Sequence, residues 1–364
     1  MSTILFANQP QRLQQIQYPV IPADHRLSRN GSPFFPIGFY YVDYDRPPQQ
    51  FLEGQIQALK DIANAGFNVL HTSINYNLSA HTTLLKQAER LGVTIISDHQ
   101  ADFARTQSLQ TFKNSPALLA WSIGDDINRN YQPQEILRVH TQVKAQDPRH
   151  ATYVSMFDGN RQVIKRYMHV ADWVGMQSYP VANRSLDSTF YEINSAVETA
   201  LSSHGSLIIA NLQTFKWPTE REPSAAEIRN MTYQALLAGV RGILYYTYRD
   251  RSWYLPNHSQ LWAEMKSIAQ ELKYLQPWLL DATLQRIELQ AYPQVMTGIW
   301  QARGRKTLVV LNTTQKRQSL SIKLPSSSLH VTSLLNERPI SFSTKYGVLA
   351  VSIPPLEVQI YRLL

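Results

Sequence analysis

Acidic, amide and aromatic side chains recur along this chain just after short β-branched or aromatic runs. In order they read Tyr40-Tyr41-Val42-Asp43, Ser73-Ile74-Asn75-Tyr76, Asp98-His99-Gln100, Gly124-Asp125-Asp126, Phe157-Asp158, Gln177-Ser178-Tyr179, Leu212-Gln213 and Tyr248-Arg249-Asp250. Carboxyls can exchange protons, amides and guanidiniums can hold hydroxyls, and the C–H faces of sugar rings pack on Tyr and Trp. No glycine nest that could cradle a phosphate is among them. The set suits sugar chemistry better than phosphate chemistry. Tyr40, Tyr179, Trp217, Trp253 and Tyr254 are its candidate aromatic platforms, although each alone reads equally well as a packing residue.

Elements that could bring such scattered groups together are visible in the hydrophobic pattern. Eight candidate strands, Phe35–Tyr40, Asn68–Thr72, Thr94–Ser97, Leu118–Ile123, Thr152–Ser155, Trp173–Met176, Leu207–Ala210 and Gly242–Tyr246, alternate with amphipathic stretches. Leu52, Ile56, Leu59 and Ile62 keep helical spacing up to Gly66, and Leu84, Leu85, Ala88 and Leu91 up to Gly92. Ser224 and Glu227 form a capping-box pattern, in which hydroxyl and carboxylate each satisfy an orphan amide at a helix start. The helix after the third strand, around Ser108–Lys113, has the weakest pattern. Eight strands with returning helices predict an α/β fold, a (β/α)8 barrel over residues 28–280, in which reacting groups gather at the C-terminal strand ends. From 281 to 364 the texture becomes alternating strands and turns, which predicts a small all-β sandwich, read as a buttress or a carbohydrate-binding module.

Several function classes are excluded or left without support. Hydrophobic residues are 43% and charged residues 17% of the 364, so the chain has the means to bury a core and lacks the profile of a disordered protein. No apolar run is long enough for a membrane span, and no signal peptide is visible; the expected compartment is cytoplasmic unless an export signal has been removed. There are no cysteines, so thiolate chemistry and disulfides are absent. No dinucleotide or P-loop glycine motif follows a strand, and no His-Glu-x-x-His spacing supports a metal through His71, His99 or His140. Cofactor and metal are therefore expected to be none. Ser97, Asp98 and His99 are adjacent in sequence and cannot bridge one another as a triad. The net charge of +8 is spread along the chain and reads as a solubilising excess, with an acidic polysaccharide as the alternative and nucleic acid not expected. The expected partner is an oligo- or polysaccharide, and the expected state a monomer or weak homo-oligomer.

Three runs carry a family resemblance: Asn30-Gly-Ser-Pro-Phe-Phe-Pro-Ile-Gly38-Phe-Tyr, Ser115-Pro-Ala-Leu-Leu-Ala-Trp121-Ser-Ile-Gly-Asp-Asp126 and Ala171-Asp-Trp-Val-Gly-Met-Gln-Ser-Tyr179-Pro. Over about residues 28–275 the chain resembles the barrel of retaining glycoside hydrolases, which place an acid/base after strand four and a nucleophile after strand seven. The resemblance implies that Asp126 is the general acid with Asp125 beside it, and that Tyr179 matches the tyrosine that orients the nucleophile. The strand-seven position reads Gln213, an amide that cannot serve as an anionic nucleophile. Hydrolysis needs two carboxyls, about 5–5.5 Å apart for retention and about 6.5–9.5 Å for inversion. Asp43, Asp98, Asp158 and Asp250 are candidate second members, and Asn75, Trp217 and Trp253 candidate sugar contacts. Arg249 and Arg251 could grip a uronate or sulfate, or simply pair with loop aspartates. A substrate acetamide serving as nucleophile, and a binding barrel without catalysis, both stay open.

Overall fold

The computed structural model describes residues 15–17, 26–29, 31–74, 77–98, 102–157, 160–289, 291–324, 330–334, 341–345 and 347–364. The chain divides into two compact units, one spanning 21–283 and one in which 284–364 join the strand Gln15–Gln17.

The first unit is a closed barrel of eight parallel strands: β1 (Ile37–Tyr41), β2 (Val69–Ser73), β3 (Thr94–Asp98), β4 (Leu118–Gly124), β5 (Ala151–Phe157), β6 (Trp173–Ser178), β7 (Leu207–Gln213) and β8 (Ile243–Arg249). They follow one another around the ring, and β8 pairs with β1 through Ile243 and Ile37. All eight expected strands are present, each extended by one to three residues at the C-terminal end. These strands read as nearly continuous apolar runs because side chains facing the barrel axis and those facing the helices are both covered.

Each strand is followed by a helix: α1 (Pro48–Ala65), α2 (Leu78–Leu91), α3 (Asp102–Phe112), α4 (Pro133–Gln146), α5 (Arg161–Tyr167), α6 (Ser188–Ser203), α7 (Ala225–Ala238) and α8 (Ser259–Asp281). Helix α1 buries Phe51, Ala58, Leu59 and Ile62 against the strands and stops at Gly66, whose φ of 94° only a residue without Cβ adopts at no steric cost. Asn77 caps α2 by accepting the amide of Ala80. Leu91, read as part of the inward face, is exposed instead. The expected capping box opens α7, with the amide of Glu227 donating to Ser224 Oγ and the amide of Ser224 donating back to Glu227. Trp121 turns outward from β4 and donates its indole N–H to Asp147 at the end of α4, so this ring supports the helix layer.

The barrel axis is filled by Tyr40, Tyr153 and Asn211, from β1, β5 and β7. The Tyr40 and Tyr153 hydroxyls lie 2.6 Å apart, and Asn211 donates to both while accepting from Tyr153. Space for this network comes from Gly175 on β6. A Cβ built there would lie 1.9 Å from Tyr153 Oη and 2.6 Å from Asn211 Nδ2.

The second unit is a β sandwich. One sheet has the order Gln15–Gln17, β9 (Thr283–Leu289), β10 (Val295–Ala302), β11 (Arg305–Asn312), β16 (Val358–Leu363), β13 (Val331–Ser333), and the other β12 (Gln318–Lys323), β15 (Val348–Ile353), β14 (Ser341–Lys345). Leu308, Val310, Ile322, Leu349, Val351 and Tyr361 share the core between them. Two strands, Gln15–Gln17 and β14, are absent from the sequence expectation; the run Ser-Phe-Ser-Thr-Lys of β14 has too little apolar character to mark it.

Replacing Gly175 by Ala forces the Tyr153–Asn211 pair to move, and urea denaturation is expected to show a loss of about 1–3 kcal/mol. Ser224→Ala, which removes the α7 cap, is expected to cost about 1 kcal/mol in the same measurement. An unchanged midpoint for Gly175→Ala contradicts the close approach.

Candidate functional site

At the C-terminal strand ends lies a cleft of about 770 Å³, whose wall includes Tyr40, Tyr44, Asp98, Asp125, Tyr246 and Asp250. Among the described residues no cluster of three or more His, Asp or Glu side chains could hold a metal ion.

The turn after β4 sets the central pair. On an extended strand, Asp125 and Asp126 would face opposite ways. Asp126 instead adopts the left-handed conformation with φ 47°, which aspartate tolerates better than most residues, and it opens a one-turn helix, Ile127–Asn130. The kink delivers the two carboxylates to two adjacent strands. Asp125 Oδ1 accepts a hydrogen bond from Ser155 Oγ on β5. Asp126 Oδ1 accepts from Gln177 Nε2 on β6 at 2.6 Å. Ser155 Oγ also accepts from the amide of Asp126 at 3.1 Å and from Gln177 Nε2 at 3.0 Å, so one hydroxyl ties three strand ends together.

Asp125 lines the cleft and keeps part of its surface open to it, with protein on the remaining sides. Loss of bulk water raises its pKa; the Ser155 hydroxyl works against this and the neighbouring Asp126 charge with it, and the net direction is upward. The tyrosines around it respond in turn. Tyr44, Tyr179 and Tyr246 are all raised, first by burial and then by surrounding carboxylates: Asp98 and Asp125 for Tyr44, Asp125 and Asp126 for Tyr179, and Asp250, Asp125 and Asp126 for Tyr246. One phenol, Tyr246, thus lies within electrostatic reach of carboxylates from both β4 and β8. Strands β4 and β8 are four apart in a ring of eight, so Asp125 and Asp250 approach the cleft from opposite rims.

The other sequence candidates divide. Asp98 lines the cleft and accepts from the Tyr44 hydroxyl at 3.3 Å. Asp250 Oδ1 is held by the amides of Ser252 and Trp253, both at 2.7 Å. Asp43 is 5% exposed and engaged by Arg46 and by Arg249 Nε, the latter at 2.7 Å. Asp43 and Arg249 form a salt bridge beside the cleft, and Arg251 pairs with Asp45, the loop-aspartate pairing that was the alternative to a grip on uronate or sulfate. Gln213 is fully buried, accepts the amide of Val181 at 2.8 Å and donates to the Phe215 carbonyl at 3.0 Å, so it clamps the loops after β6 and β7. Trp253 is 4% exposed and stacked on His258 at 3.7 Å, and Trp217 packs edge-on against Phe215; neither offers an open face in the cleft. Tyr179 is buried between Phe215 and Tyr246. Asn75, His99 and Asp158 lie outside the described residues.

Sequence reasoning missed Tyr44 and Tyr131, the two cleft-lining aromatics that expose 36% and 44% of their surface, and the positioning role of Ser155. Tyr44 stands four residues past Tyr40 in a loop, where no periodicity marks which ring stays open.

No family model matches the chain, and no curated protein matches it in sequence. Solved structures match in fold. A glycoside hydrolase family 5 protein from Bacteroides vulgatus aligns with TM-score 0.64 at 12% identity, covering 94% of this chain and 92% of its own. An alpha-amylase from Geobacillus thermoleovorans, complexed with acarbose, aligns with TM-score 0.60 at 12% identity, covering 91% and 98%. AmyP in complex with maltose gives TM-score 0.60 at 10% identity, covering 90% and 96%. No helix among the described residues is long and apolar enough to cross a membrane. The chain shares with these structures the (β/α)8 barrel fold, and its own barrel is followed by a β sandwich.

Proposed function

We propose that the protein hydrolyses glycosidic bonds of an oligo- or polysaccharide by inversion, with Asp125 as general acid and Asp250 as general base. The observation that carries this reading is that two carboxyls, Asp125 and Asp250, line one cleft from strands opposite each other in the ring, and that the pKa of Asp125 is shifted upward by loss of water around it. An acid with a raised pKa stays protonated nearer neutrality and can deliver its proton to a leaving glycosidic oxygen. Asp250, oriented by its turn amides, would take a proton from the attacking water on the other face of the ring. Tyr44 and Tyr131 supply the faces on which flanking sugar rings pack.

This reading moves the acid from Asp126, its place by family resemblance, to Asp125, because the Asp126 carboxylate accepts from Gln177 and is absent from the cleft lining. It also departs from a strand-seven nucleophile. The inward positions of β7 near the cleft are amides: Asn211 is spent on the tyrosine pair and Gln213 on loop closure. That absence favours a second reading, a barrel that binds glycan without cleaving it.

The two readings separate in a screen against neutral oligosaccharides. On any substrate that is turned over, Asp125→Asn is expected to lower kcat/KM by about 10²–10⁴-fold, with Asp250→Asn similarly affected, while Asp126→Asn costs less. Product anomers read by NMR are expected to be inverted. Glycan binding without turnover supports the second reading, and retention contradicts the assignment of Asp250.

A stability measurement checks Asp125 independently of substrate. A carboxyl whose pKa is higher folded than unfolded contributes stability that is complete at low pH and is lost as pH rises through the folded pKa. Asp125→Asn is therefore expected to match the parent Tm in acid and to exceed it increasingly toward neutral pH. A variant less stable at neutral pH than in acid, relative to the parent, contradicts the raised pKa.

A further inference from the structure

At the opposite, N-terminal end of the barrel strands is a second cavity, of about 730 Å³, walled in part by the starts of β4, β5, β6 and β7 at Leu118, Ala151, Trp173 and Leu207. Its rim carries Arg26, Arg29, Lys113, Lys144 and Arg149, against a single carboxylate, Asp172. Two of these cations are neutralised: Arg26 pairs with Asp281 at 2.8 Å and Lys144 with Asp172 at 3.3 Å. The other three meet no carboxylate among the described residues.

These three are set around one four-residue loop, Lys113-Asn-Ser-Pro116. Arg29 donates to the carbonyl of Pro116 at 3.0 Å, and Arg149 donates to the carbonyl of Lys113 and to Asn114 Oδ1, both at 2.6 Å. Backbone carbonyls thus position both guanidiniums without cancelling their charge. A guanidinium has five N–H donors, so donors are left over on each. The Lys113 ammonium has no hydrogen-bond or ion-pair partner among the described residues. Three cations lining one cavity, the guanidiniums with donors to spare, make a positive potential there that favours an anion.

We propose that this cavity binds a small molecule bearing a tetrahedral oxyanion, a phosphate or sulfate ester, through Arg29, Lys113 and Arg149. Planar guanidiniums engage two oxygens of such a group at once, and the ammonium adds a point charge. The site is separate from the carboxylate-lined cleft, whose charge is of the opposite sign, so both can be occupied together. Part of the positive charge that is scattered in the sequence thus lines one cavity in the fold.

Titration calorimetry on the full chain tests this with inorganic pyrophosphate as probe and a sulfated disaccharide as the second arm. One-to-one binding is expected, weakened at least tenfold by Lys113→Glu and by the milder Lys113→Ala. Lys60→Glu on α1, which makes the same change in net charge away from the cavity, is expected to leave affinity unchanged. Tighter binding of pyrophosphate assigns the site to phosphate esters, and tighter binding of the disaccharide to sulfated sugars. No binding of either at millimolar concentration, or equal loss in the Lys60 and Lys113 variants, overturns the proposal.

Discussion

A single hydroxyl organises the mouth of this barrel. Ser155 Oγ donates to the Asp125 carboxylate and accepts from both the Asp126 amide and the Gln177 side chain. Without it, the left-handed turn after β4 would leave two adjacent carboxylates repelling each other over the cleft. With it, one carboxylate turns to β6 and the other stays at the wall, where loss of bulk water raises its pKa against the lowering effect of the Ser155 hydrogen bond. The difference between two neighbouring aspartates of the same type is thus produced by which strand each one meets.

That arrangement rests on a floor built by complementary size. Tyr40 and Tyr153 fill the axis, Asn211 satisfies both hydroxyls, and Gly175 yields the room they need. A buried polar network of this kind is favourable only when each of its members is satisfied. Asn211 of β7 belongs to that network, and Gln213, at the strand-seven position where a retaining glycosidase carries a carboxylate, is spent on the loops after β6 and β7. The barrel has therefore committed β7 to structure, and any second carboxyl must come from another rim.

The alternation of strands and helices was legible in the sequence because a closed parallel barrel covers both faces of each strand, which leaves continuous apolar runs bounded by caps such as Gly66 and Ser224. Strand ends were legible as a class for the same reason. Individual roles were not. The choice between Asp125 and Asp126 depends on one positive φ, and the burial of Gln213 depends on loops that meet only in three dimensions. Arg249 pairs with Asp43 across 206 residues, and Arg149 reaches Lys113 across 36, so neither the salt bridge beside the cleft nor the basic cavity leaves a local trace. Gln15–Gln17 and Ser341–Lys345 escaped notice because their apolar content is low.

At the barrel mouth, Asp125 is the carboxyl whose pKa is shifted upward. Titration of the aspartate side chains by carbon-13 NMR in the full chain, with Asp125→Asn used to assign the resonance, tests this directly. The expected midpoint lies above that of an ordinary aspartate and moves down when Asp126→Asn removes the adjacent charge. A midpoint at or below the ordinary value, unmoved by that change, would contradict it.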